Sequence, residues 1–422
     1  MEEYIGNLHF ICAIDTFKGL HQQIFVPQSF EYDHSLTSEQ TLNALLSNAE
    51  VREYVQSKGG GKLLLWLLDE ETERLAAELE LEICLPPFSL RQHWDNKANT
   101  NRLAERAGVP CVPYVLSPLQ DYAQLRQISA HLGEKLVVQM PHGMSGMTTF
   151  FISNEADFEK HRTDLTNGEE MRIMKRIRCR GASLEACITC QGVAVSPLIT
   201  ELIGIAELTV YQGGWCGNEF LPNNFPSYII QQAKEYTILM GEELRKVGYK
   251  GYFEPDFLID EDTGTLYLGE MNLRFSGFTP LINNTNLAQS DIPLLLLHLA
   301  EWLDIDYELD VEMLNERWLK VENLSPLSFL HLKNVDECLG KAIPSGIYQM
   351  ENDGKVVFVR SATSPKELEN EEEIFWFSTT GINSKIVNGD DLGAFFIRSS
   401  VTEDGQNLTE KAKAWIAGLQ NL

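Results

Sequence analysis

No long apolar run interrupts this sequence of 422 residues. None of its hydrophobic stretches approaches the roughly 18 to 20 residues that a membrane-spanning helix requires. The best, IPLLLLHLA around Leu294 to Leu297, reads as a short buried helix. The opening MEEYIGNLHF lacks the basic and apolar parts of a secretory leader, so a cytoplasmic location is expected. Positive charge is scarce as well: 34 Lys and Arg face 61 Asp and Glu, for a formal net charge of −27. Nucleic acid and anionic membranes are poor partners for such a chain, because binding them needs attraction to phosphate. Paired zinc-type cysteines are missing too. The eight cysteines are scattered, and Cys187 and Cys190 form a lone CxxC inside EACITCQGVAV, which reads as strand. Internal repeats, low-complexity tracts and a Ser-His-Asp or Cys-His arrangement are all lacking.

With 44% hydrophobic residues, the chain has enough apolar material for two or three domains. Over residues 1–94 strands alternate with helices. NLHFICAI, KLLLWLL and LEICL read as strands, while SEQTLNALLSNAEVREYVQ and DEETERLAAELE read as helices. Alternation of this kind predicts an α/β domain with a parallel, Rossmann-like sheet, ending near Pro86-Pro87. Residues 95–310 mix helices and strands. Among them are a strand entering a glycine loop (KLVVQMPHGMSGMTTFFI), the basic strand MRIMKRI, and the helix QQAKEYTILMGEELRKVG. Residues 311–422 hold short strands (SGIYQM, KVVFVR, IFWFS, GAFFIR) and a closing helix, a small α+β domain. The acidic run before IFWFS reads as a solvated strand edge.

The chemistry concentrates in GYFEPDFLIDEDTGTLYLGEMNLRFSGFTP, residues 251–280. DEDTG is rich in turn formers and makes the flanking strands a hairpin. Side chains two apart face the same way, so Glu270, Asn272 and Arg274 share one face and Asp256 meets them across the ladder. Two carboxylates and an amide oxygen suit magnesium, or manganese in its place, held partly by nucleotide phosphates. The arginine suits charge that develops during phosphoryl or acyl transfer. An ordinary hairpin would turn such polar residues to water. Here Phe253, Phe257, Leu266 and Leu268 predict burial, which makes unpaired carboxylates costly without a cation. In the loop from Pro141 to Thr148, backbone N–H groups of Gly143, Ser145 and Gly146 are candidate donors to anionic oxygens. YQGGWCGNEF reads as a loop with Trp215 and Asn218 as pocket candidates, a structural loop being an equal reading. His142 is read as a solvated loop histidine.

An acidic residue in one strand followed by Glu-x-Asn-x-Arg in the next resembles the signature of ATP-grasp enzymes. The likeness extends to DNKANTNRLAERAGVPCVPYV, residues 95–115, which is similar to the corresponding part of biotin carboxylases. It implies an ATP-grasp fold with a mobile lid over about residues 112–176. By this resemblance Lys97 contacts ATP phosphates, Lys175 and Ile177 flank the adenine, and Glu185 lies near the ribose. Where the family usually has a lysine before the glycine loop, this sequence has Gln139, which can hydrogen-bond but carries no charge. Ser276 and Gly277 follow the arginine, where a hydroxyl and an N–H could bind a carboxylate, a plain turn being an equal reading. The C-terminal GINSKIVNGDDLGAFFIR and final helix resemble the carboxylases' last domain. Yet Phe278 stands where those enzymes carry their basic glutamate, and a Met-Lys-Met biotin segment is lacking. The resemblance therefore implies an ADP-forming ligase joining a small carboxylate to an amine, with ATP and Mg2+ as cofactors and a homodimer as a common assembly. An ATP-dependent carboxylase and a non-catalytic ATP-binding regulator are the alternatives.

Overall fold

The computed structural model describes residues 4–33, 36–143, 146–222, 224–320, 325–334, 343–351, 353–379 and 391–422. Its N-terminal portion is held by two short parallel pairs, Phe10–Ile11 with Ile24–Phe25 and Gly61–Leu63 with Leu81–Ile83. The expected KLLLWLL strand is thus cut to its first residues. The chain leaves the pair after Leu63 and exposes Leu64 and Trp66, while Leu65, Leu67 and Leu68 turn into the core. The long helix expected here is two, Ser38–Ser47 and Ala49–Lys58, because the Asn48 side chain accepts from the N–H groups of Glu50 and Val51 and restarts the helix.

Two antiparallel sheets form the rest of the frame. The smaller joins Tyr114–Ser117, Met171–Lys175, Leu136–Gln139 and Thr149–Ile152, in that order. Short helices Tyr122–Ile128 and Glu155–Lys160 close over its apolar face, with Leu125, Phe158 and Ile173 buried between. Among the described residues twelve strands make the larger sheet. Gly251–Asp260 is its longest strand, and Leu266–Asn272 returns beside it as the expected hairpin. Phe253, Phe257, Leu266 and Leu268 are buried, each contributing roughly 1.5 to 3 kcal/mol of transfer free energy. Helix Ser227–Lys246 covers them with Ile229, Ala233, Met240 and Leu244, a stripe at helical spacing.

Trp215–Phe220 is a strand of this sheet rather than a loop, paired with Ile199–Ile203 on one side and Leu327–Lys333 on the other. Through the latter the C-terminal strands Asp391–Ile397, Glu373–Ser378, Gly346–Met350 and Val356–Arg360 continue the same sheet. Glu373 is buried there in a pair with Arg360 at 2.7 Å, so the acidic run includes one inward carboxylate and is not wholly a solvated edge. Helix Glu410–Gln420 closes that end, and GINSKIVNGD lies outside the described residues.

Candidate functional site

The hairpin register builds the site. Asp256 stands opposite Glu270 and Glu254 opposite Asn272, so all four side chains share one face. After Asp256 the register slips by one residue. Gly269 is left outside the ladder, and its carbonyl accepts from Arg172 Nη1 at 2.6 Å. Ser183, paired with Asp256 on the neighbouring strand, donates to Asp256 Oδ1 at 2.6 Å, and Asn272 Nδ2 donates to Oδ2 at 3.0 Å. With its nitrogen turned to Asp256, the Asn272 amide oxygen faces away and remains a candidate ligand.

Helix Lys97–Ala107 delivers the cation. Asn96 caps its first turn, Lys97 N–H donates to the Pro141 carbonyl at 2.9 Å, and Lys97 Nζ lies 3.2 Å from Glu270 Oε2. Glu270 keeps 33% of its side chain accessible, so it lines a cleft instead of being sealed in.

The electrostatics record a surplus of negative charge. Burial and then Glu270 push Asp256 up to about 7. Burial and then Asp256 drive Glu254 well above the usual carboxylate range, and burial, Asp256 and Glu270 do the same to Glu201 on strand Ile199–Ile203. Burial also pushes Glu270 upward, but Lys97 and Arg172 outweigh it and hold it below the usual range. Among the described residues, no three His, Cys, Asp or Glu side chains converge at metal-binding spacing. Two carboxylates and one amide nonetheless fit magnesium, provided that phosphate oxygens complete its shell. The high proton affinity of Asp256 and Glu254 is what carboxylates show when short of a cation.

Arg274 is half-buried at the end of this face. Among the described residues it forms no salt bridge, and its guanidinium makes only a 3.5 Å contact with the Phe275 carbonyl. A guanidinium so little committed, beside buried carboxylates, is available to an anionic ligand.

The remaining candidates are arranged differently from the sequence expectation. Ser276 is committed: its hydroxyl donates to Glu185 Oε1 at 3.1 Å and its N–H to Thr279 Oγ1 at 2.9 Å. Neither group is left for a carboxylate. Gly277 packs under the Trp215 ring so closely that an added Cβ would lie 2.5 Å from it. Glu185 sits where the chain turns between strands Cys179–Ser183 and Ala186–Thr189, facing Ser276 and Thr279, with burial pushing it up to about 7. It belongs to the Arg274 end of the hairpin, so its expected place beside a ribose has no support in these contacts. Trp215 Nε1 donates to Asn218 Oδ1 at 2.8 Å, which leaves the buried Asn218 Nδ2 without a partner among the described residues.

On the small sheet, Lys175 is exposed and Ile177 half-buried just beyond strand Met171–Lys175. The basic residues there diverge. Arg176 lies over Phe151, Arg180 over Phe225, Arg178 pairs with Glu261 and Asp262 in solvent, and Arg172 alone is deeply buried. They make no common positive field. Gly143 and Gly146 flank the loop tip, Ser145 lies outside the described residues, and His142 is exposed beside Asn96. Gly146, at φ +74°, touches the Gly213 carbonyl, bringing the glycine loop onto the turn before Trp215. Glu254 was readable in advance, since stepping back two residues from Asp256 along FEPD reaches it. Glu201 and Ser183 carry no such signal, because only strand pairing brings them in.

No protein-family profile matches the chain. It is 23% identical over 235 residues to a [butirosin acyl-carrier protein]–L-glutamate ligase of Niallia circulans, covering 54% of this chain and 55% of that protein. It is 26% identical over 218 residues to a D-alanine–D-alanine ligase of Streptococcus gordonii, covering 49% and 61%. The chain thus spans between 55% and 61% of the length of these curated relatives. Its fold is similar to that of the N5-carboxyaminoimidazole synthase of Aspergillus clavatus solved with ADP and 5-aminoimidazole ribonucleotide. That match has a TM-score of 0.54 at 13% identity and covers 83% of this chain and 80% of the other. It is also similar to the biotin carboxylase domain of Hydrogenobacter thermophilus 2-oxoglutarate carboxylase solved with MgADP and bicarbonate. There the TM-score is 0.58 at 14% identity, with 86% and 76% covered. The chain thus has the ATP-grasp fold that these solved structures share, and its hairpin signature is similar to that of ATP-grasp ligases.

Proposed function

We propose that the chain is an ATP-dependent ligase that activates a carboxylate as an acyl phosphate and joins it to an amine, releasing ADP and phosphate. The observation that carries this reading is the uncommitted Arg274 guanidinium at the end of a buried face bearing Asp256, Glu270 and Asn272. The two curated relatives are named as ligases of amino acids, which supports the same reaction class.

Asp256, Glu270 and Asn272 would hold magnesium, which supplies neutralisation of phosphate charge when bound. Lys97 would ground the phosphates at the helix start, and the lid loop with Gly143 and Gly146 would cover them. Lys175 and Ile177 would meet the base. Arg274 would hold the substrate carboxylate in line with the transferring phosphoryl group. It would then stabilise the oxyanion formed when the amine adds to the acyl carbon and phosphate departs. Ligation of this kind needs positioning and charge neutralisation more than a protein nucleophile, which fits the residues assembled here. A small carboxylate and a small amine are the substrates this assigns, and residues 1–94, 95–310 and 311–422 are proposed as the domains that carry the parts.

The test is nucleotide product analysis with pooled amino acids and small carboxylates, comparing the intact chain with Glu270→Gln. Pool-dependent ADP and phosphate that vanish in the variant support the ligase. AMP and pyrophosphate would sink the acyl-phosphate route. The carboxylase alternative draws on the two similar solved structures. It predicts ADP formation that depends on bicarbonate in place of the organic carboxylate, with the acceptor amine still required.

A further inference from the structure

The buried basic group of the lid sheet has no ion-pair partner. Arg172 is 2% exposed, and among the described residues no carboxylate lies within salt-bridge distance of it. Its donors go to neutral oxygens: Nη1 to Asn101 Oδ1 at 2.9 Å and to the Gly269 carbonyl at 2.6 Å, and Nε to Gln139 Oε1 at 2.9 Å, with Nη2 also donating to that oxygen. A buried guanidinium held this way keeps its charge, and the charge must be answered by something nearby.

Register explains the arrangement. Gln139 stands opposite Arg172 on one side and opposite Thr149 on the other, so the three form one row across the small sheet. A guanidinium has donors only, hence the Gln139 atom facing it must be the amide oxygen. The amide nitrogen is thereby turned the other way. One of its hydrogens goes to Thr149 Oγ1 at 3.0 Å, which leaves the second uncommitted among the described residues at the base of the glycine loop. Two N–H groups of one cation drawing on a single carbonyl oxygen polarise the amide and strengthen that remaining donor. The row also sits beside the metal-binding face, since the carbonyl that Arg172 grips belongs to the residue before Glu270.

We propose that Arg172 and Gln139 act as one unit, in which the guanidinium polarises and orients the amide and the amide's free N–H donates to a phosphate oxygen of the bound nucleotide. The positive charge that a lysine at position 139 would carry at its tip is here set one residue back and transmitted through a neutral group. Arg172 is a positioning residue, acting through Gln139. This rests on the nucleotide reading of the site given above.

The test compares the affinities of the intact chain and its variants for a non-hydrolysable ATP analogue with Mg2+ and for adenosine. Gln139→Glu keeps the size of the side chain but satisfies Arg172 with a carboxylate and removes the donor. It should weaken the analogue about tenfold or more, the scale of a charge-assisted hydrogen bond, and leave adenosine within about twofold. Arg172→Gln should weaken the analogue in the same selective way, and adding Gln139→Lys to it should recover binding by returning the cation to the tip. Equal losses for analogue and adenosine, or an unchanged Gln139→Glu, would overturn the proposal. So would a double variant no better than a folded Arg172→Gln. If Arg172→Gln fails to fold, the Gln139→Glu comparison decides alone. An intact chain that binds adenosine and the analogue equally weakly would instead remove the nucleotide reading, and this inference with it.

Discussion

Arg274 and His298 show how a side chain's partners decide what it does. Arg274 has one long contact to a carbonyl and carboxylates nearby, so its charge is left to act on a ligand. Replacing it with Met should lower turnover by about 10² to 10³, as removal of an oxyanion donor does, while ATP affinity changes by less than about threefold. Single-turnover and equilibrium binding measurements check the two halves separately. His298 is the opposite case. It sits in helix Leu294–Trp302, accepts from Tyr252 N–H through Nδ1 at 3.1 Å and meets the Cys84 carbonyl through Nε2 at 2.8 Å, which sets the Nε2–H tautomer. Burial lowers its pKa to about 4, so it is neutral in the fold. The unfolded chain takes up a proton near pH 6.5 that the folded chain refuses until about pH 4. Stability from this residue is therefore fully present above pH 6.5 and is lost as pH falls through that window, by roughly 3 kcal/mol in all. Asp256 and Glu185, raised to about 7, gain stability over the same fall in pH, so the measurement is a difference: in urea melts between pH 7 and pH 5, His298→Gln, though less stable, should narrow its gap to the intact chain as pH falls.

Among the elements, the small sheet's glycine loop and the turn before Trp215 are in contact. A methyl group on Gly146 would lie 2.2 Å from the Gly213 carbonyl, and its φ of +74° adds strain for any other residue. Gly146→Ala should hold the loop away from the turn, lowering kcat/KM by about tenfold and increasing proteolysis within the loop, with little change in melting temperature. Asn48→Ala tests a purely structural feature. Removing the cap should cost about 1 kcal/mol, read as an unfolding midpoint shift without effect on nucleotide binding. Elements were legible where local rules suffice. The hairpin followed from its turn and alternation, and the helix from Lys97 from its cap and period. YQGGWCGNEF misled because glycine suggested a loop, whereas pairing on both sides made Trp215–Phe220 a strand. KLLLWLL failed for the reverse reason: its apolar run promised a strand, but only Gly61–Leu63 found a partner.

For the molecule as a whole, the net charge of −27 sets the solution behaviour. Self-repulsion of that size is screened by salt, so the melting temperature should rise between 10 and 150 mM NaCl. A fall would show that short-range ion pairs, such as Arg360 with Glu373, outweigh the repulsion. None of the described helices is long and apolar enough to cross a membrane.

What the sequence determined by itself was the hairpin and the carboxylates it carries, because alternation and turn chemistry act within about thirty residues. It also settled the absence of charge at position 139. The tertiary structure decided the rest: that Glu201 and Ser183 join the cluster, that Ser276 is occupied by Glu185, and that Arg172 stands behind Gln139. Those outcomes depend on which strands pair and in what register. Register is set by packing over the entire sheet, and no local stretch of sequence encodes it.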